Sequence, residues 1–222
     1  MAGMRIEREG PVAVLHLTDG ENRFTPDFLD GFEAALDEVE GMADPLAFVL
    51  TGEGKFFSNG LDLDAFAGRP SEDLLAYIDD VHAVFARVLA LPLPTVAAVN
   101  GHAFAGGGML ALCCDHRIMR SDRGYFCLPE VDLGVTFAPG MLALIQATLP
   151  TPTAREAMHT GRRYTAEEAV AAGIAHVALP EAEVLPAAVV VAAERAGKGR
   201  GVLGGLKEQT FADALAVLRG RS

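Results

Sequence analysis

Thr95-Val96-Ala97-Ala98-Val99-Asn100-Gly101-His102-Ala103-Phe104-Ala105-Gly106-Gly107-Gly108-Met109-Leu110-Ala111-Leu112-Cys113-Cys114 is the stretch on which the fold turns. Residues 95–99, bounded by Pro94 and by the Asn100-Gly101 turn signal, predict a buried strand. Three glycines then open an apolar run, Ala105 to Cys114, that predicts a helix. Glycines at a helix start let a ligand approach the backbone closely. The unbonded N–H groups of the first turn, with the helix dipole, favour developing negative charge there. Asp115 to Met119 predicts a strand leaving the helix.

The same alternation extends in both directions. Residues 4–18 alternate as a β-hairpin turning at Glu9-Gly10-Pro11. Thr25 before Pro26 is a helix N-cap, and Phe28, Leu29, Phe32, Leu36 and Val39 follow at helical spacing. Pro45 to Gly52 reads as a buried strand ending in a glycine turn. Glu72 to Leu91 reads as an amphipathic helix with Leu75, Ile78, Val81, Val84, Phe85, Val88 and Leu89 on one side, stopped by Pro92 and Pro94. Tyr125 to Leu128 is a short strand, Gly140 to Ala147 a helix, and Thr165 with Glu168 a capping box. Gly173 ends that helix, Ala175 to Leu179 is a strand, and from Pro186 onward the pattern is helical, with a weak break at Gly197–Gly205. Strands and helices in this order predict an α/β architecture with much parallel pairing.

Composition narrows the function classes. The chain has 222 residues, half of them hydrophobic and 22% charged, the balance of a globular protein with one core. Its net charge of −12 and the lack of a basic stripe argue against a nucleic-acid partner. No apolar run reaches the length of a membrane span, so no membrane association is expected. The N-terminus has no basic stretch followed by an apolar core, so no secretory signal is expected. Cys113, Cys114 and Cys127 are an odd set, two adjacent, in apolar surroundings. They read as buried reduced thiols in a cytoplasmic protein. The six histidines are scattered without metal-ligand spacing, so no metal is expected.

Two further segments carry chemistry. Lys55-Phe56-Phe57-Ser58-Asn59-Gly60-Leu61-Asp62-Leu63 follows a buried strand, and its Ser-Asn-Gly turn can free the N–H of Leu61. Leu128-Pro129-Glu130-Val131-Asp132-Leu133-Gly134 sets a carboxylate among apolar residues between a strand and a turn. With the glycine loop they supply the parts for enolate chemistry: two N–H groups for an oxygen gaining charge, and one carboxylate to shuttle a proton. Each feature alone has an ordinary reading as tight packing, a turn or a solvated residue.

In this order the segments resemble the enoyl-CoA hydratase/isomerase (crotonase) family. Residues 57–63 look like its first oxyanion loop and residues 100–107, followed by Cys114-Asp115, like its second. Pro129 to Gly134 resembles its Pro-Glu-x-x-Leu-Gly segment, and Gly161 to Ala169 with Gly173 a further stretch. The resemblance, over about residues 5–180, implies a spiral of ββα turns forming two roughly perpendicular sheets. Residues 1–180 would be the core and 181–222 a shortened helical segment for assembly as a homotrimer or a pair of trimers. It implies an acyl-CoA substrate, with coenzyme A as part of that substrate and no permanently bound cofactor. It places the oxyanion N–H groups on Leu61 and Gly106 and the acid/base on Glu130. Ser58, Asn59, Gly60, Asp62, Gly107 and Met109 fall on substrate-binding positions, and Lys55 and Lys207 are candidates for the CoA phosphates.

One departure bears on the reaction. The second glutamate of the family's hydratases falls on Met109, and a thioether cannot orient or deprotonate water. A single glutamate suffices to move a double bond, so the expected activity is Δ3,Δ2-enoyl-CoA isomerase. The alternatives are a hydratase with Asp132 or a bound water network in place of the missing glutamate, an acyl-CoA hydrolase or decarboxylase, and a silent CoA-binding assembly subunit. Asp62 as a loop support and His102 as a loop histidine are the ordinary readings of those residues. Pocket depth is expected to depend on Phe66, Tyr77, Phe85, Phe104 and Phe137.

Overall fold

The chain winds as a spiral in which each turn adds one strand to a large sheet and one to a small sheet. The computed structural model describes residues 3–62, 65 and 70–220; Leu63 and Phe66 lie outside them. The large sheet has the order β1-β2-β4-β7-β9-β11, with β1 Met4–Glu9, β2 Val12–Leu17, β4 Ala47–Gly52, β7 Thr95–Val99, β9 His116–Arg120 and β11 Val177–Leu179. Only β1–β2, the expected hairpin, is antiparallel; the other neighbours are parallel. Strands β2, β4 and β7 are buried along their whole length, as expected of parallel strands covered on both faces.

The small sheet has the order β10-β8-β5, all parallel, built from β5 Phe56–Ser58, β8 His102–Phe104 and β10 Phe126–Cys127. A two-stranded ribbon pairs β3 Arg23–Phe24 with β6 Gly60–Leu61. The expected turns at Ser58-Asn59-Gly60 and Asn100-Gly101 are therefore links between very short strands.

Helices close both faces. α1 (Pro26–Gly41) is capped by Thr25, whose Oγ1 accepts from Phe28 N–H at 3.1 Å. It packs with α2 (Ser71–Leu89) and contributes Phe28, Phe32, Leu36 and Val39 to the main core. α3 (Gly106–Leu112) follows β8, and a one-turn helix α4 (Glu130–Leu133) follows β10. α5 (Pro139–Thr148) precedes α6 (Thr151–Thr160), a helix with no strong apolar period in the sequence. α7 (Ala166–Ala171) carries the expected capping box, Thr165 N–H donating to Glu168 Oε2 at 2.9 Å.

Packing does not break at residue 180. α8 (Glu181–Ala193) lays Val184, Ala188 and Ala192 on Val12, Val14, Ala47, Val49, Val96 and Ala98 of the large sheet, sealing a second apolar layer. The glycine-rich break is confined to the residues before α9 (Arg200–Thr210), which runs through Gly201, Gly204 and Gly205. Gly204 sits against Pro92, where a Cβ would meet the proline Cβ at 3.0 Å. α10 (Ala212–Leu218) returns to pack on α5 and α2.

Candidate active site

Three parallel strands side by side deliver their C-terminal ends to one edge, where open α/β sheets place their ligands. β8 is central and runs through Ala105 into Gly106. On one side β5 runs into Gly60-Leu61, and on the other β10 runs through Leu128-Pro129 into Glu130. The topology thus brings together the three segments that the sequence singled out.

The two oxyanion-loop candidates meet backbone to backbone. Gly60 has φ +78° and its Cα faces Gly106 N; a Cβ on Gly106 would meet Leu61 Cδ1 at 2.5 Å and Phe24 Cε2 at 3.0 Å. Gly106 opens α3, so its N–H has no carbonyl acceptor within the helix. The entry to that helix is unusual: Ala105 has φ +47° and ψ −123°, a conformation that glycine tolerates far better. Ala105 is held there by its own N–H donating to Cys127 O at 2.9 Å and its carbonyl accepting from Met109 N–H at 3.1 Å.

Ser58 and Gly107 hold this junction from behind. The Ser58 hydroxyl donates to Asn22 O at 2.7 Å and accepts from Gly60 N–H at 3.1 Å, and the residue is fully buried. Gly107 lies on the Ser58 carbonyl, where a Cβ would come within 2.2 Å. Both are supports of the loop and neither lines the cavity described below. Asp62 is likewise a loop support: its N–H donates to Tyr77 Oη at 3.1 Å, while Tyr77 donates to Phe24 O at 2.5 Å, and its carboxylate faces Arg23 at 3.6 Å. Asn59 lines the cavity, with its amide donating to Glu21 at 3.1 Å.

A cavity of about 920 Å³ opens at this edge. Among the described residues, Glu130 is the one carboxylate that lines it; Leu61, Ala105 and Pro129 border it, and Ile78, Phe137 and Met141 wall it. Glu130 is 7% exposed, and its Oε2 is buried with no hydrogen-bond partner. Burial pushes its carboxyl up to about 7, against a small opposing effect from a backbone hydrogen bond. A carboxyl poised there can both take and return a proton near neutral pH. The wall near Glu130 contains apolar groups left in water, with Leu75 64% and Leu133 62% exposed.

Several expectations are corrected. Lys207 is not available to a phosphate. It is buried, its Nζ donating to Leu93 O at 2.9 Å and pairing with Asp115 at 2.8 Å. Met109 is packed in the main core and does not line the cavity. Asp132 does not join Glu130, because the segment is helical and two residues along a helix point to different sides. Its carboxylate lies instead against Gly161, outside the cavity. Leu75, expected in the core, lines the cavity instead. Of the rings expected to set pocket depth, Phe104 and Phe137 line it, while Tyr77 and Phe85 are in the core.

Lys55 is exposed, its Nζ 5.0 Å from the Phe56 ring, and it does not line the cavity. His102 sits among Phe56, Phe104 and Tyr125, with ring centroids 4.9–5.7 Å apart. Arg23, Cys127 and Arg163 line the cavity without having been singled out. Among the described residues, no three His, Cys, Asp or Glu side chains cluster as metal ligands, and no helix is long and apolar enough to cross a membrane.

A family model described as enoyl-CoA hydratase/isomerase matches residues 7–219. The chain belongs to the enoyl-CoA hydratase/isomerase family. Within the family it is 37% identical, over 87% of its length and 82% of the relative's, to the peroxisomal enoyl-CoA delta isomerase 2 of Arabidopsis thaliana. It is 38% identical to a putative enoyl-CoA hydratase of Thermus thermophilus, over 84% of this chain and 75% of that one. Among solved structures, an apo enoyl-CoA isomerase of Mycobacterium tuberculosis superposes with a TM-score of 0.91 at 27% identity, covering 99% of this chain and 95% of that one. The spiral architecture expected from the resemblance is thus the observed one.

Proposed function

We propose that this chain is a Δ3,Δ2-enoyl-CoA isomerase with Glu130 as its proton carrier. The observation that carries the reading is that Glu130 is, among the described residues, the one carboxylate lining the cavity, with an unpartnered oxygen, while Met109 is in the core. Glu130 takes a proton from C2 of a 3-enoyl thioester, leaving a dienolate. The N–H groups of Leu61 and Gly106 bind its oxygen. The same carboxyl returns the proton at C4, and the double bond now lies between C2 and C3. No atom is gained or lost and no water takes part, so a single acid/base suffices and no resident cofactor is needed. The apolar wall strengthens the oxyanion contacts by keeping water away. The sequence relatives named as enoyl-CoA delta isomerases support the same reading.

Glu130→Gln tests it: conversion of 3-hexenoyl-CoA to the 2-enoyl product falls by about 100-fold or more, while saturated hexanoyl-CoA still binds. Unchanged turnover in that variant would overturn the assignment. Hydration is the second reading, favoured by the Thermus relative's name. Loss of crotonyl-CoA absorbance on adding enzyme would establish it.

The assembly is read as a homotrimer or a pair of trimers formed through residues 181–222. Val190, Val202 and Leu206 support this, since they leave large apolar surfaces of α8 and α9 in water. A monomer mass in sedimentation would rule it out. A cytoplasmic location is supported by three unpaired buried thiols, which suit a reducing compartment. Fractionation of cells would test it.

A further inference from the structure

Two adjacent arginines in the chain have opposite surroundings. Arg162 is held by Glu156 at 2.8 Å and Glu168 at 2.9 Å. Arg163 has no carboxylate of the described residues within ion-pair distance, yet it lines the cavity that holds Glu130. The backbone explains the difference. Tyr164 makes an antiparallel bridge to Phe126, at the outer edge of β10, with N–H to O distances of 2.9 and 3.0 Å in the two directions. In an extended segment alternate side chains point to opposite sides. Tyr164 goes inward and is fully buried, and Arg163 faces the other way, its Cζ 5.8 Å from the Phe104 ring.

Arg163 ends a row of rings. Phe56 and His102 are cross-strand partners on β5 and β8, and Phe104 follows two residues on. Their centroids are 5.4 Å and 4.9 Å apart, so the row runs Phe56, His102, Phe104 along one face of the small sheet. Lys55 sits over Phe56 at one end and Arg163 over Phe104 at the other. The charge of Arg123 also bears on His102, together with those of Lys55 and Arg163. No carboxylate of the described residues is paired with any of these three cations. Arg87, by contrast, is neutralised by Glu33, Asp37 and Glu40. Arg163 is exposed at the edge of the cavity, where it hydrogen-bonds Cys127 and its guanidinium stays open to an incoming anion.

We propose that Arg163, at the head of this cationic row, holds an anionic oxygen of the bound thioester at the mouth of the cavity. The inference rests on the reading of the site as one for acyl-CoA thioesters. Two parts of such a ligand carry anionic oxygens that a planar guanidinium can grip: the phosphates of coenzyme A, and a carboxylate at the far end of the acyl chain. Lys55 and Arg163 at the two ends of the row, with the charge of Arg123 also acting on His102, favour the phosphates, which bring several charges, over a single carboxylate.

Calorimetric binding of three thioesters that do not turn over distinguishes the cases: hexanoyl-CoA, hexanoyl-pantetheine (which has no phosphate) and hexanedioyl-CoA. For phosphate recognition, Arg163→Gln weakens hexanoyl-CoA by about tenfold or more, leaves hexanoyl-pantetheine unchanged, and Arg163→Lys recovers part of the loss. For carboxylate recognition, the native protein prefers hexanedioyl-CoA to hexanoyl-CoA and Arg163→Gln abolishes that preference. The proposal is overturned if the variant binds all three within twofold of the native protein, or loses hexanoyl-pantetheine by the same factor as hexanoyl-CoA. Because none of these ligands reacts, the outcome is independent of turnover. An inactive native protein on 3-hexenoyl-CoA would sink the isomerase reading alone.

Discussion

Gly60 and Gly106 are in contact through their backbones: a Cβ on Gly60 would lie 2.6 Å from Gly106 N and 2.9 Å from Phe104 O. Gly60 also has φ +78°, which L side chains rarely adopt. Gly60→Ala therefore has to push β6 away from α3, the two elements that carry the proposed oxyanion donors. Displacing one donor costs about 100- to 1,000-fold in kcat. Steady-state turnover of 3-hexenoyl-CoA should show that loss, with hexanoyl-CoA binding reduced far less. Native kcat in Gly60→Ala would mean that the donors lie elsewhere.

The Glu130 carboxyl sets the pH profile. As the base it works only when deprotonated, and burial holds it at about 7. kcat/KM should rise roughly tenfold per pH unit below that value and level off above it. A profile flat from pH 5 to 8 would show that a group other than Glu130 limits the rate.

Much of this site was legible in the sequence because its parts are local. The glycine loop, the Ser-Asn-Gly link and Pro129-Glu130 each follow an apolar run, and parallel pairing then brings their ends together. Thr25 and the Thr165–Glu168 box were readable for the same reason, since a cap is settled within four residues. What was not legible depends on distant neighbours. Strands β3 and β6 have two residues each, too few for an alternation to register. Leu75 keeps helical spacing with the core residues of α2, but whether it meets core or cavity is decided by where the helix begins relative to β6. Arg163 looked like Arg162 until the bridge at Tyr164 set the two apart, and Lys207 looked exposed until Leu93 and Asp115 were placed around it.

Glu130 also carries a stability cost. Below pH 4.5 the carboxyl is protonated in both folded and unfolded chains and has no effect. Between 4.5 and about 7 the unfolded chain releases the proton while the folded one retains it, so stability falls as pH rises. Above about 7 the penalty is complete, on the order of 3 kcal/mol. Glu130→Gln removes it. The variant should melt roughly 5–10 °C above the native protein at pH 8 and equally with it at pH 4. Equal melting at both values would show that the carboxyl is not desolvated.

Tyr77 ties α2 to the loop that carries Leu61. Its buried hydroxyl donates to Phe24 O and accepts from Asp62 N–H, one residue beyond Leu61. Tyr77→Phe leaves both backbone groups without this partner, at about 1–3 kcal/mol of stability. Because the loop loses its tether, kcat should fall while hexanoyl-CoA affinity changes little. Thermal melts and a kcat-against-KM comparison check the two effects separately; a variant losing stability with kcat intact would limit Tyr77 to a structural role.

Lys207 provides the counter-test to a phosphate role. Its ammonium is enclosed between Leu93 O and the Asp115 carboxylate, and Asp115 itself is fixed by Thr95, accepting from its N–H at 2.9 Å and donating its own N–H to the Thr95 hydroxyl at 2.8 Å. The lysine therefore fastens α9 to the start of β7 and the end of α3. Lys207→Met keeps the apolar stem but leaves Asp115 and the Leu93 carbonyl without their partner. Loss of one member of a buried ion pair costs about 3–5 kcal/mol, and the half-buried Asp115 puts the expectation at the lower end. The melting temperature should drop accordingly. Hexanoyl-CoA should bind the folded variant as it binds the native protein, because no part of Lys207 reaches the cavity. A tenfold or greater loss of affinity at unchanged stability would return Lys207 to the substrate.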